Sequence, residues 1–201
     1  MASLAWSPDQ QRIIDLLEER LSPKKLQHAL SVTGYLVSFG AGLGLPEEAL
    51  KNAGLLHDLC RAMNSDELLA KAEAYGVMVD TFSAKRPILL HGPLAAEEGR
   101  RELGIDDPAV YEAVWWHTTG TPRLGLLGRA LMVADFSEPF RKYAEAAETR
   151  EILASEGFDA ALRHMAQSKL RFAERKREPH PHAKRFHDWV MEGCPENARA
   201  T

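Results

Sequence analysis

The segment GLLHDLCR, residues 54–61, constrains the fold more than any other part of this sequence. An apolar run leads directly into the adjacent His57 and Asp58, and the apolar Leu59 and Cys60 follow. Polar side chains in a segment that is expected to be buried are unfavourable unless a partner satisfies them. Any fold of this chain must therefore bring such a partner to residues 57 and 58.

The composition places the chain among ordinary globular proteins. Its 201 residues suffice for one domain with a full core. The formal net charge of -4 gives no overall attraction to nucleic acid or to an anionic membrane, and no apolar run approaches the ~20 residues of a membrane span. The first residues lack the basic and apolar regions of a signal peptide, and two cysteines are too few for a disulfide framework. We therefore expect a cytoplasmic protein that binds neither nucleic acid nor membranes.

Helix signals divide the sequence, whereas strand signals are weak. Ser7-Pro8-Asp9-Gln10 is typical of a capping box with proline in the first turn. Similar signals predict helix starts at Ser22-Pro23, Pro46, Asn64 and Asp107-Pro108, and the helix after Pro46 should carry His57 and Asp58. Residues 77–87 are expected to be irregular, and further helices are predicted over about 92–103, 124–136, 143–153, 158–176 and 183–191. The predicted fold is all-α, with a single compact helical domain.

Metal-competent side chains occur among apolar neighbours in five separate segments. They are His28, the pair His57-Asp58, His91, His117 and Asp135. Each one alone is more often a structural residue, and a lone Asp135 could also cap a helix or pair with an arginine. Together they favour a bound cation, because a cation would satisfy a buried carboxylate and would account for the accumulated imidazoles. Such mixed ligands suit iron, manganese, cobalt or zinc better than magnesium.

The order His, His-Asp, His, His, Asp resembles that of the HD-domain superfamily of metal-dependent phosphohydrolases. The local sequence is similar to that of the YqeK-type members, the symmetrical bis(5'-nucleosyl)-tetraphosphatases, in AGLLHDLCR, LLHGPLAA, VWWHTTG and LMVADFSEPFR. The resemblance implies one HD domain over residues 1–201 with its core at about 21–193. The helices predicted at 8–21 and 183–191 would pack on that core.

The resemblance also implies a centre of two metal ions and cleavage of diadenosine tetraphosphate into two molecules of ADP. It assigns one ion to His28, His57, Asp58 and Asp135, and the second to His91 and His117 with Asp58 as the bridge. Iron is the expected metal, with manganese, cobalt or zinc as alternatives. Two cations ~3.5–4 Å apart can lower the pKa of a water molecule between them, so that a hydroxide attacks phosphorus.

A polyphosphate substrate also needs cations and hydrogen-bond donors beside the metal ions. The candidate substrate-binding residues are Lys25, Arg61, Thr118, Arg123 and Arg141, and Asp58 and Arg61 are the candidate catalytic residues. Lys85 and Arg86, before His91, could form part of a lid. Each of these charges could instead be a solvated surface group.

Other polar signals are interpreted as structural or exposed. A second doublet, His187-Asp188, has charged surroundings and no further ligand after it. His180 and His182 are expected in an exposed loop, and Cys60 is expected to be a buried structural residue. The basic run over residues 163–185 is interleaved with glutamates, which favours a solvated helix face over an RNA-binding surface.

Three functions remain open from the sequence. The first is symmetrical cleavage of diadenosine tetraphosphate. The second is hydrolysis of another nucleotide by a nucleotidase or phosphodiesterase, because Thr121, Arg123 and Leu124 differ from the residues usual in the family. The third is a regulatory module that binds metal or nucleotide without turnover, against which the six intact ligands count. The oligomeric state is open, and a homodimer is one option.

Overall fold

The structure is a computed structural model, and it describes residues 4–176 and 178–195. All regular secondary structure in these ranges is helical, which confirms the predicted all-α class. The helices are α1 (Pro8–Arg20), α2 (Pro23–Gly40), α3 (Glu47–Leu56), α4 (Ser65–Tyr75), α5 (Thr81–Lys85), α6 (His91–Glu102), α7 (Pro108–Trp116), α8 (Leu126–Ser137), α9 (Ala144–Ser155), α10 (Phe158–Lys176) and α11 (Pro181–Met191), with 3-10 turns at Ala41–Leu43 and Pro87–Leu90. None of the described helices combines the length and the apolar character that a membrane span requires.

Helix caps account for most of the predicted boundaries. The Ser7 side chain accepts a hydrogen bond from the Gln10 backbone N–H, and the Gln10 side chain accepts one from the Ser7 backbone, which completes the capping box of α1. Asn64 forms the same arrangement at the start of α4. The prediction that residues 77–87 are irregular is wrong over α5, because the Asp80 side chain accepts bonds from two backbone N–H groups and starts that short helix.

The helix after Pro46 is shorter than predicted. The last residue of α3 is Leu56, His57 is the capping residue after it, and Asp58 lies in the turn that follows. Bonds from the Leu59 N–H to the Leu56 carbonyl and from the Arg61 N–H to the Asp58 carbonyl tighten this segment. The doublet therefore lies in a tight turn, and the prediction that it lies within the helix is wrong.

Two apolar clusters surround α8. Leu127 and Leu131 of α8 belong to a large cluster with residues of α1, α2, α3, α6 and α7. Met132 and Val133 belong to a second cluster with α10 and with Phe186, Trp189 and Val190 of α11. Because α8 is covered on both sides, its sequence is apolar with few interruptions.

Two glycines allow the helices to approach closely where His57, His91 and His117 lie. A Cβ atom on Gly54 of α3 would lie 2.7 Å from the Cα of Thr33 in α2. A Cβ on Gly92 of α6 would lie 2.9 Å from the backbone oxygen of Val114 in α7 and 3.0 Å from the His117 ring. Any larger residue at either position would push these helices apart.

Candidate metal centre

Six polar side chains from five helices and their ends meet at one place. Their positions are His28 in α2, His57 and Asp58 just after α3, His91 at the first residue of α6, His117 at the C-terminal cap of α7, and Asp135 in α8. His57, Asp58, His91 and His117 are buried, and His28 and Asp135 are partly buried. His91 and His117 therefore both lie at helix ends.

The backbone orients three of the imidazoles in the same way. The Nδ1 atoms of His57, His91 and His117 lie 2.7, 2.5 and 2.7 Å from the carbonyl oxygen three residues earlier in each case. A carbonyl oxygen can only accept, so each Nδ1 carries the proton and each Nε2 presents a lone pair. This bond fixes the tautomer and the ring direction that a metal-binding histidine requires.

Protein donors leave the Nε2 lone pairs largely unsatisfied: the Thr118 hydroxyl lies 3.3 Å from the Nε2 of His117 and 3.4 Å from that of His91, and its single proton cannot serve both. The Nε2 atoms of His91 and His117 lie 3.0 Å apart, and with both protons on Nδ1 neither atom can donate to the other. Within residues 4–176 and 178–195, the buried Nε2 of His57 has no hydrogen-bond partner. Buried acceptors in this state are unfavourable, and a cation among them would satisfy all three. The residues at this site therefore fit a metal ion.

Asp58 lies between two sets of imidazoles. Its Oδ1 is 3.2 Å from the Nε2 of His91, and its Oδ2 is 3.8 Å from the Nε2 of His57 and 3.9 Å from that of His28. Two metal-competent groups result, His28-His57-Asp58 and Asp58-His91-His117, with ligand atoms within 4.8 Å of one another in each. Asp135 adjoins the first group, because its Oδ1 is 3.0 Å from the Nε2 of His28.

The protonation states of four of these residues favour cation binding, whereas for His28 burial lowers the pKa but the bonds to Asp135 and Glu138 outweigh burial and raise it. Burial lowers the pKa of His57, and burial together with the neighbouring His91 lowers the pKa of His117 to about 3. Burial alone would raise the pKa of Asp58, but the neighbouring imidazoles of His57 and His91 outweigh burial and hold it well below its usual value. Burial likewise opposes ionisation of Asp135, and the bond to His28 outweighs it and lowers the pKa. Neutral imidazoles and ionised carboxylates are the forms that bind metals.

Glu138 supports His28 from the side away from the other imidazoles. Its Oε1 lies 3.1 Å from the Nδ1 of His28, and its Oε2 accepts from the Ser31 hydroxyl at 2.5 Å and from the Phe140 N–H at 2.7 Å. Glu138 lies in the ADFSEPFR run, but no role was predicted for it from the sequence. Its contacts give it the role of a positioning residue for His28.

Arg141 lies against the same edge of the cluster. It donates to Asp135 Oδ1 at 2.9 Å and to the Asp135 backbone oxygen at 3.1 Å, and it lies 3.2 Å from the Nε2 of His28. Burial lowers the pKa of its guanidinium, but the charge of Asp135 outweighs burial and the net pKa is raised. About a third of its side chain, 37%, remains exposed, so the guanidinium can also contact a ligand.

A cavity of about 810 Å³ extends from the cluster. Its lining includes Asp58, His91, His117 and Asp135 and six cationic residues: Arg61, Arg86, Arg141, Lys169, Arg175 and Lys176. A concave site with several cations beside metal-competent ligands suits an anionic substrate such as a polyphosphate.

The remaining predicted substrate-binding residues differ in position. Arg61 lines the cavity with its Nε 3.9 Å from Asp58 Oδ1, and the Thr118 hydroxyl lies 3.3 Å from the Nε2 of His117. Lys25 donates to the Arg61 backbone oxygen at 3.2 Å and is not among the lining residues. Arg123 is exposed in a turn at φ 65° and also does not line the cavity.

The cavity is also lined by residues that were predicted from the sequence to be solvated or exposed. The basic run over 163–185 is not simply a solvated face, because Lys169, Arg175 and Lys176 line the cavity and the Lys169 ammonium lies 3.3 Å from the His117 backbone oxygen. The exposed-loop interpretation of residues 180 and 182 is also wrong. His180 lines the cavity, and the His182 ring packs 4.7 Å from that of Trp116.

Two polar contacts and one ring contact join α5 and its flanking residues to the connection between α10 and α11. Arg86 donates to the Glu178 backbone oxygen at 2.8 Å, and the Nε2 of His180 lies 3.3 Å from Asp80 Oδ2. The Phe82 ring packs 5.2 Å from the His180 ring. Arg86 therefore lies in the wall of the cavity, near the position predicted for a lid, whereas Lys85 is not among the lining residues.

The discounted polar residues lie outside the cluster. The Nδ1 of His187 is 2.9 Å from Oδ1 of Asp188, whose side chain is 70% exposed, and neither residue lines the cavity. Cys60 is buried, and its Sγ lies 3.3 Å from Glu98 Oε2. Burial and the nearby Glu98 raise the pKa of its thiol, so Cys60 is an inert packing residue.

The HD domain family matches residues 26–139, which contain all six predicted metal ligands. The chain belongs to the HD domain family, as the sequence predicted.

Individual relatives agree with the narrower resemblance. A protein of Bacillus subtilis (strain 168), described as a symmetrical bis(5'-nucleosyl)-tetraphosphatase, is 24% identical over 181 residues, which cover 88% of this chain and 95% of the relative. A Staphylococcus aureus (strain NCTC 8325 / PS 47) protein with the same description is 28% identical over 142 residues, covering 71% of this chain and 73% of that one. A crystal structure from Clostridium acetobutylicum, of a predicted HD superfamily hydrolase involved in NAD metabolism, is 25% identical with a TM-score of 0.85 and covers 94% of this chain and 100% of its own.

Proposed function

We propose that this protein is a metal-dependent hydrolase that cleaves diadenosine tetraphosphate symmetrically into two molecules of ADP. The observation that carries the proposal is the convergence of three oriented imidazole Nε2 atoms around the Asp58 carboxylate, beside a cavity lined by six cationic residues. The descriptions of the Bacillus and Staphylococcus relatives support the choice of substrate.

The proposed ligand sets follow the two groups around Asp58. His28, His57, Asp58 and Asp135 would hold one ion, and His91 and His117 would hold the second with Asp58 as the bridge. Iron is proposed first, with manganese, cobalt or zinc as alternatives, because imidazole and carboxylate ligands suit all four. When bound, such ions supply positive charge that acidifies a water molecule and offsets charge on a phosphate.

The protein's own cations are proposed to hold the polyphosphate over this centre. Arg141 and Lys169 border the ligands at Asp135 and His117, and Arg61 lies beside Asp58. Their charges would balance the charge that develops on the phosphates and on the departing ADP. The Thr118 hydroxyl, 3.3 Å from the His117 Nε2, would donate to a phosphate oxygen. Symmetrical cleavage adds water across the central anhydride, so the second and third phosphates must lie at the ligands.

Hydrolysis of another nucleotide is the second candidate. The Clostridium structure is described as that of a hydrolase involved in NAD metabolism, and Arg123 lies outside the cavity lining. The same centre and cations would act on the anhydride of a different nucleotide. A binding module without turnover would retain metal and nucleotide but release no product.

A cytoplasmic location and the extent of the domain are also proposals. The cytoplasmic location rests on the presence of only two cysteines, of which Cys60 is buried. A single HD domain over residues 1–201, with its core at about 21–193, includes residues beyond the described ranges. A dinucleoside polyphosphate or another nucleotide is the proposed partner, and a homodimer stays open.

The two His-Asp doublets provide a matched test of the centre. Asp58→Ala removes the proposed bridge, so we expect both the metal content and the hydrolysis of diadenosine tetraphosphate to be lost. His187→Ala, in the doublet outside the cavity, should keep both close to wild type. Metal analysis and nucleotide chromatography on the two purified variants measure this. Full activity of Asp58→Ala, or a large loss in His187→Ala, would contradict the assignment.

A further inference from the structure

One side of α10 forms a continuous part of the cavity wall. Lys169, Phe172 and Lys176 all line the cavity, and their spacing of three and four residues places them on one helix face. The ammonium of Lys169, 3.3 Å from the His117 backbone oxygen, fixes one end of this face at the proposed metal centre. At 1.5 Å per residue, Phe172 lies about 4.5 Å and Lys176 about 10.5 Å farther along the helix axis.

Phe172 is unusual among the apolar residues of this wall. It is 58% exposed although it lines a cavity, and the ammonium of Lys176 lies 5.9 Å from its ring centroid. Leu170 and Ala173 of the same helix also line the cavity and add apolar surface to it. A planar aromatic ligand would cover this ring favourably, and the ligand's phosphates would extend toward Lys169.

Resting on the proposed function, we propose that Phe172 stacks against one nucleobase of the dinucleotide and determines the preference for substrates that carry a nucleoside. The arrangement matches the order of groups in the substrate. Phosphates lie at the ligands and Lys169, and the nucleoside that follows them lies farther along α10. Phe172 is a specificity residue that contacts the substrate but takes no part in bond cleavage.

The test compares Phe172→Ala, Phe172→Tyr and Phe140→Ala. Phe140 is a matched control, because it is also an exposed phenylalanine, at 47%, its side chain does not line the cavity, and alanine keeps the backbone N–H that donates to Glu138. We expect Phe172→Ala to raise the KM for diadenosine tetraphosphate about tenfold or more with kcat nearly unchanged, because a stacked base is lost. Phe172→Tyr keeps the ring and should restore the KM, and Phe140→Ala should match wild type.

Two binding measurements separate stacking from other effects. The affinity for ADP, measured by calorimetry, should fall in Phe172→Ala by the same factor as the KM rises. Inhibition by inorganic tripolyphosphate, which has no base, should be unchanged. An unchanged KM and ADP affinity in Phe172→Ala, or an equal loss of tripolyphosphate inhibition, would overturn the proposal. If the wild type released no ADP from the dinucleotide, the proposed function would fail, while ADP calorimetry would still decide the role of Phe172.

Discussion

Replacing Gly92 by alanine should damage the proposed metal centre although no proposed ligand is replaced. The added Cβ would lie 2.9 Å from the Val114 backbone oxygen and 3.0 and 3.1 Å from Cε1 and Nδ1 of His117. A backbone oxygen cannot rotate away, so the start of α6 and the end of α7 must separate by a few tenths of an ångström. The Val114 oxygen also accepts the bond that orients His117, and His91 directly precedes Gly92. The change therefore disturbs two proposed ligands together.

The expected magnitudes differ for stability and for metal binding. Overpacking costs about 1–3 kcal/mol, whereas the higher helix propensity of alanine returns about 1 kcal/mol, so the net loss of stability should be about 0–2 kcal/mol. Disturbing the groups that orient metal ligands lowers metal affinity by about 10–100-fold. Gly92→Ala should therefore remain folded in urea titrations while binding manganese 10–100-fold more weakly.

Gly34→Ala is the control for this experiment. Gly34 lies within α2, and a Cβ there would meet no atom within 4 Å. This variant should gain up to about 1 kcal/mol in free energy of unfolding and bind manganese as the wild type does. If Gly92→Ala bound manganese as tightly as the wild type does, the close contact between α6 and α7 would not be what positions the ligands.

Two further outcomes follow from buried charges. Glu98 is fully buried with Arg20 at 2.5 Å and Lys71 at 2.8 Å; burial raises its pKa, but these partners outweigh burial and lower the pKa in the folded state. The ionised Glu98 therefore stabilises the fold above the ordinary glutamate pKa, and this contribution is lost as the pH falls through the folded-state pKa. In urea titrations, Glu98→Gln should lower the free energy of unfolding by about 1–3 kcal/mol at pH 7 and by less at acidic pH. An equal loss of unfolding free energy at pH 7 and at low pH would contradict the lowered pKa of Glu98. Lys169→Ala should raise the KM for the dinucleotide about tenfold in steady-state assays, because Lys169 lines the cavity. Arg123→Ala, outside the cavity lining, should leave the KM unchanged. Equal effects of the two substitutions would contradict the proposed role of Lys169 in holding the phosphates.

Local sequence signals were enough to predict most of the helical architecture. The start signals at Ser7, Asn64 and Asp107 are backed by side-chain caps in the structure, since a cap is a contact within three residues. The five-residue α5 escaped detection, because its one cap at Asp80 has no long apolar stripe behind it. The turn at His57 was taken for helix because apolar residues continue on both sides of it.

Contacts between distant residues limited the prediction of the site. The metal-competent residues were found because buried polar residue types are rare in apolar segments. Lys169 lies 52 residues from His117, and the sequence around it reads as a charged helix, so its position at the centre depends on how α10 packs. Arg123 was a candidate because a polyphosphate needs cations, but it lies in an exposed turn outside the cavity lining. The sequence signal that could have indicated this part of the cavity wall is the helical spacing of Lys169, Phe172 and Lys176.

The identity of the product tests the central claim most directly. The purified protein, loaded with iron or manganese, would be incubated with diadenosine tetraphosphate, and the nucleotides would be separated by anion-exchange chromatography. We expect ADP as the sole product of diadenosine tetraphosphate hydrolysis. ATP together with AMP would contradict symmetrical cleavage, and no product from metal-loaded protein would contradict the assignment as a hydrolase of this dinucleotide.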